Sequence, residues 1–211
     1  MLFPVECPAC SAPTDTLRQV CAPCLKRLEP ANLQDWLPAV SSPGALDGAW
    51  SAFWFDGRLQ DLIHAFKYDR REAIGKQLAE AAARELPGHL AARYDLLVPV
   101  PLHKTRRRER GFNQAAVLAA ALGRLWQRPV ATDIIARHRR TKSQTDLTVI
   151  QRRRNVADSF TVSVQGHGEH VLLIDDLLTT GATAAECAAA LHNAGYGGVG
   201  VLTIATPRID K

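Results

Sequence analysis

Residues 170 to 191 read HVLLIDDLLTTGATAAECAAAL, and the four apolar residues Val171-Leu172-Leu173-Ile174 constrain the fold more than any other stretch. Successive side chains of a strand leave opposite faces, so a half-exposed strand alternates apolar and polar residues. This run does not alternate, and both of its faces must therefore be covered. A parallel sheet with helices on each side provides that cover, and the alanine-rich run that follows supplies one such helix. Apolar runs recur at Leu96-Leu97-Val98-Pro99-Val100 and from Val199 to Ala205. The expectation is an α/β fold, a doubly wound and mainly parallel sheet.

In open parallel sheets ligands bind outside the carboxyl ends of the strands. Asp175 and Asp176 follow the apolar run directly and stand where ligand chemistry is expected. Two carboxylates buried there need hydroxyl groups or a divalent cation as a partner. The turn Thr179-Thr180-Gly181-Ala182-Thr183 offers three hydroxyls, backbone N–H groups at a helix start, and a glycine that lets an anion approach, which together describe a phosphate site. Acids for a diol or metal beside donors for a phosphate suit a sugar phosphate. The competing reading is that Asp175 ends a strand and the threonines cap a helix. Other phosphate signatures are missing: the sequence holds no G-x-x-x-x-G-K-[ST], and no G-x-G-x-x-G follows a strand. The whole string closely resembles the phosphoribosyl pyrophosphate (PRPP) motif of type I phosphoribosyltransferases. That resemblance implies that Asp175 and Asp176 contact the ribose 2′ and 3′ hydroxyls with Mg²⁺, while Thr179, Thr180, Gly181, Ala182 and Thr183 wrap the 5′-phosphate.

Four of the five cysteines form Cys7-Pro-Ala-Cys10 and Cys21-Ala-Pro-Cys24, separated by ten residues. Tetrahedral thiolate coordination of zinc needs two such close pairs joined by a short hairpin. Two disulfides, or a redox C-x-x-C, are the alternatives. A reducing cytosol disfavours the first, and duplication of the pair disfavours the second. Structural Zn²⁺ on Cys7, Cys10, Cys21 and Cys24 is the expectation, with no ligand position left open for catalysis. Cys187 falls within a helical run and reads as a small core residue.

The 211 residues, 46% hydrophobic and 22% charged, suffice for one α/β domain and a small appendage. Residues 1–30 are read as the cysteine module and 31–211 as the α/β domain. Within it the pattern predicts a strand over 49–55, helices over 59–68 and 72–86, and a strand over 96–100. A basic loop, a helix over 113–126, and strands near 130–136 and 159–164 follow, then the motif strand and helix and a last strand over 199–205. No stretch reaches the ~18 to 20 apolar residues of a membrane span, and the N-terminus lacks signal-peptide character. A cytoplasmic protein without membrane insertion is expected.

Residues 104–154 hold 14 Lys and Arg against Glu109, Asp133 and Asp146, a net +11, while the whole chain carries only +5. Basic runs are commonly solvated faces, but these flank a predicted phosphate crevice and suit a highly anionic ligand or a nucleic acid. The run Arg106 to Gln114 reads R-x-x-x-R-G-F-N-Q. Together with the knuckles, Lys67-Tyr68, and the later Arg137, Thr141, Gln144, Arg153-Arg154-Asn155 and Phe160, it resembles the ComF/GntX family over essentially the whole chain. These are phosphoribosyltransferase-like proteins tied to competence and DNA uptake. The resemblance implies a pyrophosphate loop over 101–111, with Arg106, Arg110 and Lys67 on that leaving group. It also implies a hood over about 138–155 carrying Thr141, Gln144, Arg153 and Asn155, with Arg137 beside it. Phe112 reads as core. Three functions are consistent with the residues: a phosphoribosyltransferase of undetermined acceptor, a single-stranded DNA module working with competence proteins, or a non-catalytic PRPP sensor. The position that carries an acid in some purine phosphoribosyltransferases is Thr179, so no general base is named.

Overall fold

In the computed structural model, residues 5–15, 19–31, 46–138 and 159–208 are described. Four strands, β3 (Gly48–Trp54), β4 (Leu96–Pro99), β7 (Val171–Leu177) and β8 (Val199–Thr206), form a parallel sheet in the order β3-β8-β7-β4. Between β3 and β4 run α2 (Gly57–Tyr68), α3 (Glu72–Glu85) and the short α4 (Leu90–Arg93). Between β4 and β7 lie α5 (Lys104–Arg110), α6 (Gln114–Trp126) and a separate antiparallel ribbon, β5 (Ile135–Arg137) with β6 (Phe160–Val162). The helix α7 (Ala182–Asn193) links β7 to β8.

The non-alternating run of β7 is buried on both faces, as its sequence requires. Leu172 and Ile174 join one core with Leu62 and Phe66 of α2, Leu78 of α3 and Leu118 of α6. Val171 and Leu173 join a second core with Ala184, Cys187 and Leu191 of α7. Each buried leucine contributes about 1.5–3 kcal/mol, so the two cores clamp β7 from both sides. Cys187 is fully buried, in keeping with a packing role.

Three element expectations are corrected. The basic loop contains a helix, α5, capped by the His103 side chain at its start and by Gly111 at φ +83° at its end. The strand expected near 130–136 reduces to a single parallel bridge from Val130 to Leu97, and the chain then leaves the sheet to form β5. The strand β7 continues through both acids to Leu177, because its pairing with β8 persists from Asp175↔Thr203 to Leu177↔Ala205.

This topology places the crevice. The chain leaves β4 outward to Val130 and returns on the other side of β4 as β7. Strand order therefore reverses at β4 and β7, and a reversal of this kind opens a cleft at the carboxyl ends of the strands. No helix among the described residues is long and apolar enough to cross a membrane.

At the N-terminus β1 (Val5–Glu6) pairs with β2 (Pro13–Thr14), and α1 (Ala22–Lys26) follows. The Gln77 side chain of α3 both accepts from Val20 N–H (2.9 Å) and donates to Val20 C=O (3.0 Å). Cys7 and Cys24 share a core with α2 and α3, so this segment is docked on the larger unit.

Candidate functional site

Beyond Ile174 the acids lose their neighbour on one side, because β4 ends at Pro99 and its last contact is Val100 N–H to Ile174 C=O at 2.9 Å. The pleat sends consecutive side chains to opposite faces. Asp176 follows Leu172 and Ile174 toward α2, where its Oδ1 lies 2.8 Å from Lys67 Nζ; the two side chains are 11% and 15% exposed. Asp175 follows Leu173 toward α7 and the ribbon, and its Oδ1 accepts from Asp176 N–H at 2.9 Å. Burial, and then the neighbouring Asp176 carboxylate, push the Asp175 pKa up to about 7, while Lys67 and Arg137 pull against the rise. Burial likewise lowers the Arg137 pKa. The guanidinium of Arg137 lies over the Phe160 ring, 5.4 Å from its centroid, and these two residues pair across the ribbon. The acid pair thus meets one cation directly, Lys67 from α2, and lies within the electrostatic reach of a second, Arg137 from β5.

Downstream of the acids the chain turns sharply. Gly181 adopts φ +72° as the residue that opens α7, a conformation that suits glycine. Thr180 Oγ1 accepts from Ala182 N–H at 3.5 Å, and Gly181 and Ala182 are buried. Thr179 is exposed, and Thr180 and Thr183 are half-buried. The first-turn N–H groups of a helix lack intrahelical partners, which makes this end a donor array for an anion.

On the β4 side, Asn113 caps α6 through Ala115 N–H and donates its amide to Val100 C=O, tying the helix start to the strand end. Arg106 is exposed on α5. Arg110 is differently engaged: its Nη1 donates to Gln114 Oε1 at 2.9 Å and its guanidinium lies over the Tyr68 ring at 5.4 Å. Phe112 packs against the core, with its ring 5.6 Å from that of Phe66. Lys67, Asp175, Asp176 and the Thr179–Thr183 turn therefore share one end of the sheet with Arg137. Arg106 and Arg110 stand on the helix that follows the neighbouring strand. Thr141, Gln144, Arg153 and Asn155 lie outside the described residues. The electrostatic influence of Arg137 on Asp175 and the stacking of Arg110 on Tyr68 were missed in the sequence; the aromatic beside Lys67 was the available signal for the second.

The cysteines converge. Two backbone turns, Cys10 N–H to Cys7 C=O and Cys24 N–H to Cys21 C=O, point the thiols inward. The four Sγ atoms lie within 4.8 Å of one another, and Cys10 and Cys21 are 3.5 Å apart. A tetrahedral thiolate site with bonds of ~2.3 Å has sulfur–sulfur edges of about 3.8 Å, so the cluster fits a bound metal ion. All five cysteines are free thiols.

No family model matches the chain. The chain is 30% identical over 206 residues to the DNA utilization protein YhgH of Escherichia coli strain K12, an alignment covering 92% of this chain and 81% of that protein. It is 30% identical over 146 residues to competence protein F of Haemophilus influenzae, covering 68% of this chain and 57% of that one. Among solved structures, the orotate phosphoribosyltransferase from Aeropyrum pernix overlaps 72% of this chain and 65% of its own at 19% identity and a TM-score of 0.38. A likeness that loose says nothing of chemistry.

Proposed function

The chain belongs to the family of the DNA utilization protein YhgH, and from that premise we propose that it binds PRPP and transfers its phosphoribosyl group to an acceptor in the handling of DNA. The observation that carries this reading is the acid pair at the end of β7, at the reversal of strand order, followed within a few residues by the Gly181 turn into α7. In this reading Asp175 and Asp176 hold the ribose diol, and the Thr179–Thr183 turn holds the 5′-phosphate through its N–H groups and hydroxyls. Arg106 and Arg110 face the pyrophosphate. Lys67 joins them by exchanging Asp176 for the departing charge. Arg137 is the base of a hood whose other members are Thr141, Gln144, Arg153 and Asn155.

The bond from C1′ to the pyrophosphate oxygen breaks with its electron pair on the leaving group, so positive charge grows on the ribose while negative charge grows on pyrophosphate. Guanidinium and ammonium groups aimed at the second charge lower the barrier. Mg²⁺ bound with PRPP would neutralise pyrophosphate charge further. The acids and the crevice keep C1′ fixed and shielded from water until a nucleophile bonds to it.

Residues 1–30 act in this reading as a structural zinc module and 31–211 as the transferase-like domain, in a cytoplasmic protein. The test is calorimetric titration with PRPP in Mg²⁺, followed by a search for pyrophosphate release with pooled bases, amines and oligonucleotides. Micromolar binding with release in one pool supports transfer. Binding without release in any pool would leave a PRPP sensor, and no binding would remove the reading altogether.

A further inference from the structure

Tyr68 is the last residue of α2 and follows Lys67, whose ammonium reaches Asp176. Its side chain is anomalous for a large aromatic, with 59% of the residue open to solvent. It is also held in place. The Arg110 guanidinium lies over the ring at 5.4 Å, and the His64 ring sits 4.7 Å away at an interplanar angle of 42°. Arg110 is itself anchored by Gln114, a residue 1% exposed. Because a guanidinium only donates, the bond fixes the amide oxygen toward it. The result is an exposed aromatic ring held against a fixed cation, one residue along the chain from the lysine that reaches Asp176. Its chain neighbour Lys67 points into the crevice.

The surroundings specify what such a face meets. The helix that ends in Arg110 reads KTRRRER, has no buried residue, and carries five cations against Glu109. Arg106, Arg107 and Arg108 are exposed along it. Aromatic rings that stack bases, beside cations that track a phosphate backbone, are the parts from which single-stranded nucleic acid sites are built. A free base would stack on Tyr68 but leave the α5 cations without a role. An acidic peptide would meet the cations but leave the exposed aromatic ring unused.

We propose that Tyr68, backed by Arg110, is a stacking platform for a base of single-stranded DNA whose phosphates lie along α5. This extends the role in handling DNA and does not depend on PRPP binding. It also assigns Arg110 to the platform in the DNA-bound state.

The test compares binding of a short oligothymidylate and of an abasic oligonucleotide of equal length, by fluorescence anisotropy at low salt, for the wild type, Tyr68→Phe and Tyr68→Ala. The wild type and Tyr68→Phe should prefer the thymidylate. Tyr68→Ala should bind it about tenfold more weakly, within the range for one stacked base, and should lose the preference over the abasic strand. Unchanged affinity in Tyr68→Ala, equal binding of both strands by the wild type, or no binding at all would overturn the proposal. So would full competition by free thymidine at the same concentration of bases, which would make a free base the ligand. PRPP should still bind Tyr68→Ala, with any change confined to the release of Arg110 from the ring. Failure of PRPP to bind either protein would count against the transferase reading and leave the platform standing.

Discussion

Lys67 Nζ and Asp176 Oδ1 meet at 2.8 Å, joining the last turn of α2 to the end of β7. Both side chains are mostly buried, so removing one partner strands the other charge in a poorly solvated place. Breaking a buried pair in this way costs about 3–5 kcal/mol. Lys67→Met should therefore destabilise the protein by about 3 kcal/mol in urea denaturation. Lys67→Met combined with Asp176→Asn should recover most of the loss, because no unpaired charge remains. If the double variant is as unstable as the single, the ion pair is not the source of the effect.

Asp175 gives the crevice a pH signature. Its folded pKa of about 7 lies above the ordinary 3.8, so between these values the folded protein keeps a proton that the unfolded chain has lost. The associated stability is complete below about pH 4 and disappears as pH rises through about 7. Asp175→Asn, neutral at every pH, should flatten the decline of Tm across that window without divalent cations and melt above the wild type at about pH 8. In a chain of this size each kcal/mol relieved corresponds to about 2–4 °C. Parallel Tm profiles for the two proteins would show that the carboxyl ionises normally.

The PRPP reading makes separate demands on the acids and on the basic helix. Asp175→Asn with Asp176→Asn, which keeps shape and removes charge, should abolish PRPP binding by calorimetry while circular dichroism stays native. Arg106→Ala should weaken PRPP by about 1.5–3 kcal/mol, the range for a hydrogen bond to a charged group. Arg110→Ala should cost less, since Arg110 is already engaged by Gln114 and Tyr68. PRPP affinity that survives loss of both arginines would move the pyrophosphate site elsewhere.

What the sequence made legible follows from periodicity. The uninterrupted apolar run at 171–174 required cover on both faces, and α2, α3 and α6 on one side with α7 on the other provide it. Paired C-x-x-C knuckles similarly implied a cluster, since turn geometry within each pair is local. Elements without a periodic signal were harder. KTRRRER has no apolar face to mark it as a helix, and its start is capped by a histidine rather than by a common N-cap residue. The stretch 130–136 has strand-forming residues, but Val130 makes only a single bridge to the parallel sheet, while Ile135 and Ala136 pair with Val162 and Thr161 in the separate ribbon. That choice is tertiary. The same holds for the Lys67–Asp176 pair, whose members lie more than a hundred positions apart.

The cysteine cluster predicts a metal requirement that can be separated from ligand binding. Purified under reducing conditions, the protein should hold about one zinc per chain by elemental analysis. Cys10→Ser changes an exposed thiol, so it should leave packing intact yet reduce zinc content and lower Tm. Cys7 and Cys24 are 1% and 3% exposed and share the core with α2 and α3, so metal loss should loosen that contact. A protein free of zinc with an unchanged Tm would show that the thiols do not coordinate a structural ion.

Gly200 and Tyr94 test the packing at the other end of the sheet. A Cβ on Gly200 would collide first with Tyr94 Oη, then with Tyr94 Cζ at 2.6 Å and Trp50 Cζ3 at 2.9 Å. Those two rings are packed edge to face at 5.9 Å, and Tyr94 is 1% exposed. Gly200→Ala should therefore cost about 1–3 kcal/mol, the range for overpacking a filled core. Tyr94 Oη is buried and has no hydrogen-bond partner among the described residues. Tyr94→Phe removes that unsatisfied hydroxyl, so it should be neutral or stabilising by up to about 1 kcal/mol. Since Oη is the atom nearest the added methyl group, Gly200→Ala with Tyr94→Phe should regain part of the loss, appearing as non-additivity in a double-mutant cycle. Strictly additive effects would mean that the ring itself, rather than its hydroxyl, blocks residue 200.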